Sequence, residues 1–210
     1  MTFEIWLTFV AASTALLLIP GPTVLLVLSY ALSKGRSVAV SCAAGVALGD
    51  LVAMTASLLG LGALVMASAT LFTALKWVGA AYLIWLGIKL IRSAPSQGLD
   101  MPARAEITGR GVFWHATAVT ALNPKSIAFF IAFVPQFITV GAPLGPQFAI
   151  LIATFVGLAT LNALAYALLA DRLRGAIGRP VVITWLTRWG GAMLIAMGVA
   201  TAFLRRAATP

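Results

Sequence analysis

Charge is scarce in this sequence, and acidic charge scarcest of all. Only 5 of the 210 residues are Asp or Glu, and charged residues of both signs make up 9%. A soluble domain carries roughly 25%, and no polar stretch here is long enough to build one. Cys42 is the only cysteine, which excludes an intramolecular disulfide and a thiolate metal cluster. His115 is the only histidine, so there is no HExxH motif and no Cys/His metal set. A glycine-rich phosphate loop is absent, which argues against ATP hydrolysis in this chain. No Ser–His pairing suggests nucleophilic catalysis. A membrane-embedded enzyme would need reactive groups clustered at one depth, and the chain offers one deep acid, one cation and one remote histidine. No enzyme activity, cofactor or metal is expected. Met1-Thr2-Phe3-Glu4 lacks the basic region of a signal peptide, so the first apolar run should remain as a helix.

What the chain has is apolar length. Apolar residues make up 61% of it and the mean hydropathy is +1.04. Several runs exceed the ~20 residues that cross a bilayer. Six spans are predicted, at about 4–32, 37–63, 71–92, 111–138, 146–170 and 181–204. The fold class is therefore an all-α integral membrane protein in one transporter-like domain, 1–210. Short basic segments follow span 1 (Ser33-Lys34-Gly35-Arg36) and span 5 (Asp171-Arg172-Leu173-Arg174), and 93–110 is the one real linker. Lys34, Arg36, Lys89, Arg92, Arg104, Arg110, Arg172, Arg174 and Arg179 all fall after spans 1, 3 and 5. Positive residues mark the cytoplasmic side, which puts the N-terminus outside; Arg205 and Arg206 at the C-terminus run against that rule. The net charge of +9 sits at helix ends and does not mark nucleic-acid binding.

Two spans are interrupted. Span 1 carries Pro20-Gly21-Pro22, followed by Thr23, inside an apolar run from Ile5 to Leu32. Proline removes a backbone donor and clashes with the preceding turn. Backbone groups freed at membrane depth must be met within the protein or face a water-filled cavity. Span 4 is interrupted at Asn123-Pro124-Lys125. Asn suits a helix N-cap and Pro the first helical position. A restarted helix presents free N–H groups and a positive dipole end to an anion such as a carboxylate. Lys125 adds a cation there, or else reaches out to the interface.

Residues 112 apart repeat. Lys76-Trp77-Val78-Gly79-Ala80 aligns with Arg188-Trp189-Gly190-Gly191-Ala192, Gly45 with Gly157, and Asp50 with Asn162. The two breaks correspond at a slightly shorter offset. The chain thus reads as two three-helix halves, about 1–92 and 111–204. An odd number of spans gives the halves opposite topology, and inverted repeats with paired broken helices mark transporters.

Asp50 is the only acid deep in a span. A carboxylate in lipid usually faces a cavity and a partner. It is a candidate for binding a ligand ammonium, for carrying a proton, or for both; a permanent ion pair with Lys125 and a position near a water-filled end are the alternatives. Asn162, its repeat mate, is a candidate polar wall. Gly45 and Gly49 share one face of span 2, as small residues do where membrane helices pack closely, and should bring Asp50 against the broken span 1. Such faces permit a homo-oligomer without requiring one. His115 reads as interfacial. Phe129, Phe130, Phe133 and Phe137 either line an apolar path or pack.

These residues resemble a known family, the LysE/RhtB amino-acid exporters. The likeness rests on Pro20-Gly21-Pro22, Gly45-Val46-Ala47-Leu48-Gly49-Asp50, the run from Lys76 to Gly87, and Asn123-Pro124-Lys125 with Phe129-Phe130 and Pro135-Gln136-Phe137. It covers nearly the whole chain. The resemblance implies export of amino acids or close derivatives across a bacterial inner membrane, by exchange with protons. The small Thr23 and Ser29 and the single buried acid lean toward neutral substrates of the threonine, homoserine or leucine type. The expected site joins Pro20, Gly21, Pro22, Thr23, Asp50, Asn123, Pro124, Lys125 and Asn162, with substrate carboxylate at the two helix N-termini and Asp50 coupling to protons. An ion-transport or scaffold subunit without organic substrate is the competing class.

Overall fold

A computed structural model describes residues 1–19, 21–34, 38–67, 69–92, 108–139, 142–177 and 180–203. Pro20, Gly35, Arg36, the linker over 93–107, Arg179, Arg205 and Arg206 lie outside the described residues. Among the described residues every element is helical and there is no strand. The helices are α1 (Phe3–Leu18), α2 (Pro22–Lys34), α3 (Ala39–Ala67), α4 (Ala69–Arg92), α5 (Gly109–Ala121), α6 (Pro124–Ala128), α7 (Leu144–Ile177) and α8 (Pro180–Phe203). Between α6 and α7 run a π-helical turn, Phe129–Phe133, and a 3-10 turn, Val134–Phe137. Five apolar segments are long enough to cross a membrane, and the bent pair of α1 and α2 makes up to six. The protein is a multi-pass all-α membrane protein.

Each boundary has a local cause. Thr2 Oγ1 caps α1 by accepting from the Ile5 N–H at 3.4 Å, and Glu4 suits the positive end of the helix. Ile19, at φ −70° and ψ 119°, is extended. It precedes Pro20, and proline drives the residue before it out of the α region. α2 restarts at Pro22 with a bend of 57°. That angle is well under a right angle, so α2 continues in the general direction of α1. Asn123 caps α6 with its own side chain, its Oδ1 accepting from Lys125 N at 3.1 Å, and Pro124 takes the first turn. Pro135 has no N–H to give to Ile131, and the widened π turn lies just before it.

Two boundaries differ from the sequence expectation. The expected basic loop at 171–174 is a continuation of α7, which runs to Ile177. Leu and Arg are good helix formers, and the glycines come only at Gly175 and Gly178. α3 also runs on to Ala67, so little chain is left to connect it to α4.

Helix directions can be read from which residues meet. Gly45 packs on Phe113 and Gly49 on Thr117, so α3 and α5 run parallel. Trp6 bonds Thr154 and Leu17 bonds Asn162, so α1 and α7 run parallel too. Gly62 lies against Phe148 while Asp50 and Asn162 line one cavity, which makes α3 and α7 antiparallel. α4 and α8 are antiparallel as well, with Gly87 against Gly191 and Gly198 against Ala80. These directions are those of alternating spans. The repeat mates, α3 with α7 and α4 with α8, pack directly on each other. The close approach of Gly45 and Gly49 corrects one expectation: their partner is α5, not span 1. A Cβ on Gly45 would overlap the Phe113 carbonyl oxygen, and one on Gly49 would lie 2.7 Å from that of Thr117.

On one side of the breaks the core is aromatic. Phe9 of α1, Phe155 of α7 and Phe129, Phe130, Phe133 and Phe137 of the irregular segment pack with ring centroids 4.8 to 6.4 Å apart. These are the offset and edge-to-face separations that aromatic pairs prefer. Four of the rings are fully buried.

Candidate functional site

The two breaks meet. Thr23, one residue past Pro22, accepts a hydrogen bond from Asn123 Nδ2 at 3.2 Å and lies 3.4 Å from Thr120 Oγ1. Between them is a cavity of about 30 Å³, bordered also by α3 and α7. A water needs roughly 10–15 Å³ of such space, so in this conformation the cavity holds a water or two and no amino acid.

Six of the nine candidate residues line it: Gly21, Thr23, Asp50, Asn123, Lys125 and Asn162. Pro22 and Pro124 are exposed and shape the breaks without facing the cavity. Pro20 lies outside the described residues. Asp50 of α3 is 2% exposed. Its Oδ1 is buried, and among the described residues nothing donates to it.

The donors in the cavity go elsewhere. A helix leaves its last four carbonyls without intrahelical partners. At the end of α1 Leu16 O accepts from the Ile19 N–H at 3.2 Å, and side chains from spans 4 and 5 meet the carbonyls from Leu16 to Ile19. Lys125 Nζ donates to Leu16 O at 3.1 Å and to Ile19 O at 3.0 Å. Asn162 Nδ2 donates to Leu17 O at 3.2 Å, and Tyr166 OH to Leu18 O at 3.3 Å. Lys125 therefore does not snorkel outward. Its ammonium lies inside the protein at the negative end of the α1 dipole, where a cation belongs. The backbone N–H of Lys125 is already occupied by Asn123. The restarted helix of span 4 thus presents less to an anion than the sequence suggested. Thr23 and Val24, in the first turn of α2, border the cavity.

Sequence reasoning passed over Tyr166 and Thr120. Tyr166 lies four residues after Asn162, hence on the same helix face, and that spacing was the available signal. His115 is exposed, and its Nδ1 lies 2.6 Å from Tyr30 OH, tying α2 to α5 away from the cavity. Among the described residues no group of His, Cys, Asp or Glu could hold a metal ion.

Comparison with known proteins gives this geometry a context. A family model described as LysE type translocator matches residues 14–205. The homoserine/homoserine lactone efflux protein of Salmonella typhimurium is 36% identical over 207 residues, covering 99% of this chain and 100% of that protein. An uncharacterized membrane protein of Vibrio cholerae is 31% identical over 199 residues, 95% of this chain and 97% of its own. The leucine efflux protein of Klebsiella pneumoniae is 31% identical over 137 residues, 65% of each chain. No solved structure is significantly similar.

Proposed function

The chain belongs to the LysE type translocator family, and on that premise we propose that it exports a small neutral amino acid or a close derivative from the cytoplasm by proton antiport. It is a translocator and not an enzyme. The reading places it in a bacterial inner membrane with the N-terminus outside. The observation that carries it is Asp50, a carboxylate at the meeting point of two helix breaks, facing a cavity with Oδ1 unpartnered. An unpaired buried carboxylate is expensive. It calls for a cation, and a substrate ammonium supplies one.

The names of the relatives support the same chemistry. Homoserine and its lactone share a primary ammonium, while the lactone has no free carboxylate. A site that reads the ammonium takes both. A single carboxylate matches one ammonium, which favours neutral over basic amino acids. Coupling follows from competition: a carboxylate releases an ammonium when a proton takes its place. Asp50 then returns protonated, and export is tied to proton entry.

The test is flux from proteoliposomes loaded with homoserine, threonine or leucine, driven by an imposed pH gradient. Wild type should release at least one of them faster when the outside is acid. Asp50→Asn keeps the size and removes the charge, so it should abolish gradient-driven export while the protein remains folded. Export by Asp50→Asn at the wild-type rate would sink the proposed role of Asp50. Release of no amino acid by wild type would sink the functional reading itself.

A further inference from the structure

The clamp on the end of α1 uses three donors of two kinds. Asn162 and Tyr166 are neutral, and a neutral donor is enough for a carbonyl. Leu16 and Ile19 receive instead a full ammonium, held on a lysine that is 8% exposed. Burying that charge merely to cap a helix is costly. The surroundings of Lys125 Nζ are also those of a receptor for a primary ammonium. Two carbonyl oxygens accept at 3.0 and 3.1 Å, the negative end of a helix dipole points at it, and the unpartnered carboxylate of Asp50 faces the same cavity. The lysine side chain ends in the same chemical group that an amino acid carries at its α-carbon.

We propose that Lys125 Nζ is a tethered occupant of the substrate's ammonium subsite, formed by the carbonyls of Leu16 and Ile19 beside Asp50. When the carrier is empty, Lys125 fills the subsite. When an amino acid enters, its ammonium takes the two carbonyls and Asp50, and the lysine arm swings aside, toward the carboxylate where the substrate has one. The arm lies across Gly21, where a Cβ would stand 3.3 Å from Nζ and 3.5 Å from Cε and would crowd it. This rests on the export reading above and deepens it. It makes Lys125 a positioning residue with a functional consequence: Leu16 O keeps the Ile19 N–H, and Lys125 keeps Ile19 O from being left bare, so the empty carrier can return. Net export then needs no amino acid on the far side.

Two experiments read this, and neither depends on the role of Asp50. Lys125→Ala removes three carbons and the nitrogen, which n-propylammonium restores. Purified Lys125→Ala should gain thermal stability on adding n-propylammonium, and gain nothing from tetramethylammonium, which has no N–H, at equal concentration. Wild type should respond to neither. In proteoliposomes, exchange of labelled for unlabelled substrate is the reference against which net efflux by Lys125→Ala and by the unbranched apolar variant Lys125→Met is read. Their net efflux into amino-acid-free buffer should fall by about ten- to a hundredfold relative to exchange, the worth of one hydrogen bond to a charged group. If Lys125→Ala is too unstable to purify without the amine, recovery on adding it is the same supporting result. Equal stabilisation by both amines overturns the proposal, as does a parallel fall of efflux and exchange in Lys125→Met. If wild type moves no amino acid, the functional reading fails, while the amine test still decides whether the subsite exists.

Discussion

Besides the Lys125 bonds to Leu16 and Ile19, the two breaks are joined by a hydrogen bond from Asn123 Nδ2 to Thr23 Oγ1 at 3.2 Å, and its worth can be measured. Asn123→Ala removes two interactions. One is the N-cap to Lys125 N at 3.1 Å, typically about 1 kcal/mol. The other is the bond to Thr23, and interhelical hydrogen bonds within membranes average about 0.6 and reach about 1.7 kcal/mol. The variant should therefore lose about 1.6 to 2.7 kcal/mol. Thr23→Val keeps the shape of the side chain and removes the hydroxyl, losing the same bond and the longer contact to Thr120 at 3.4 Å. The double variant loses the shared bond only once. Its cost should fall short of the sum of the single costs by about 0.6 to 1.7 kcal/mol. Reversible unfolding in mixed micelles of rising SDS fraction gives all three free energies. Thr23→Ser, which keeps the hydroxyl, should keep the coupling to Asn123→Ala. Additivity within about 0.3 kcal/mol would mean that Asn123 and Thr23 touch without holding one another, and the argument that this pair joins the breaks would fall.

Other perturbations follow from the same packing. Gly49→Ala places a methyl 2.7 Å from the Thr117 carbonyl oxygen, where backbone must shift, and should cost about 1–3 kcal/mol. Gly60→Ala meets nothing within 4 Å and should be neutral or slightly stabilising in the same micelle unfolding assay. Phe129→Ala opens a hole among Phe9, Phe130, Phe133 and Phe155 and should cost about 3–5 kcal/mol, read as a lowered melting temperature in detergent.

What the sequence disclosed followed from the range of the physics. Proline acts on its neighbours, so Pro20-Gly21-Pro22 and Asn123-Pro124 announced where α1 ends, where α2 starts and how α6 is capped. Small residues four apart announced a close helix crossing at Gly45 and Gly49, but spacing on one helix cannot name the partner, which proved to be α5. Asp50 was legible because a lone acid in an apolar run is expensive and so marks a cavity or a partner. The fates of Lys125, Asn162 and Tyr166 were not. Their acceptors on α1 lie more than a hundred residues away in sequence, and only the tertiary packing of spans 1, 4 and 5 brings them together. The π turn at Phe129–Phe133 gave no signal beyond Pro135. The continuation of α7 past Ala170 was masked by its charges, which suggest a loop although their helix propensity is good.

The way the donors are shared out argues for function more strongly than any one contact. Each backbone group left unsatisfied in lipid costs several kcal/mol, so a break at Ile19 persists only if other segments supply donors. Spans 4 and 5 supply three side chains for the carbonyls of Leu16, Leu17, Leu18 and Ile19, Lys125 serving both Leu16 and Ile19, and Leu16 also accepts from the Ile19 N–H. Lys125 could have satisfied Asp50 instead, since an ammonium and a carboxylate make a stronger bond than an ammonium and a carbonyl. The fold gives the lysine to the backbone and leaves Oδ1 of Asp50 bare. A sequence shaped for stability alone would pair the two charges or replace both with apolar residues. Local rules are kept at every carbonyl of the break and broken at a single carboxylate beside it. Such isolated violations are where function is found. Of the four buried side-chain atoms without a partner among the described residues, only Asp50 Oδ1 belongs to a residue that lines the cavity, and it is the one that a ligand must complete.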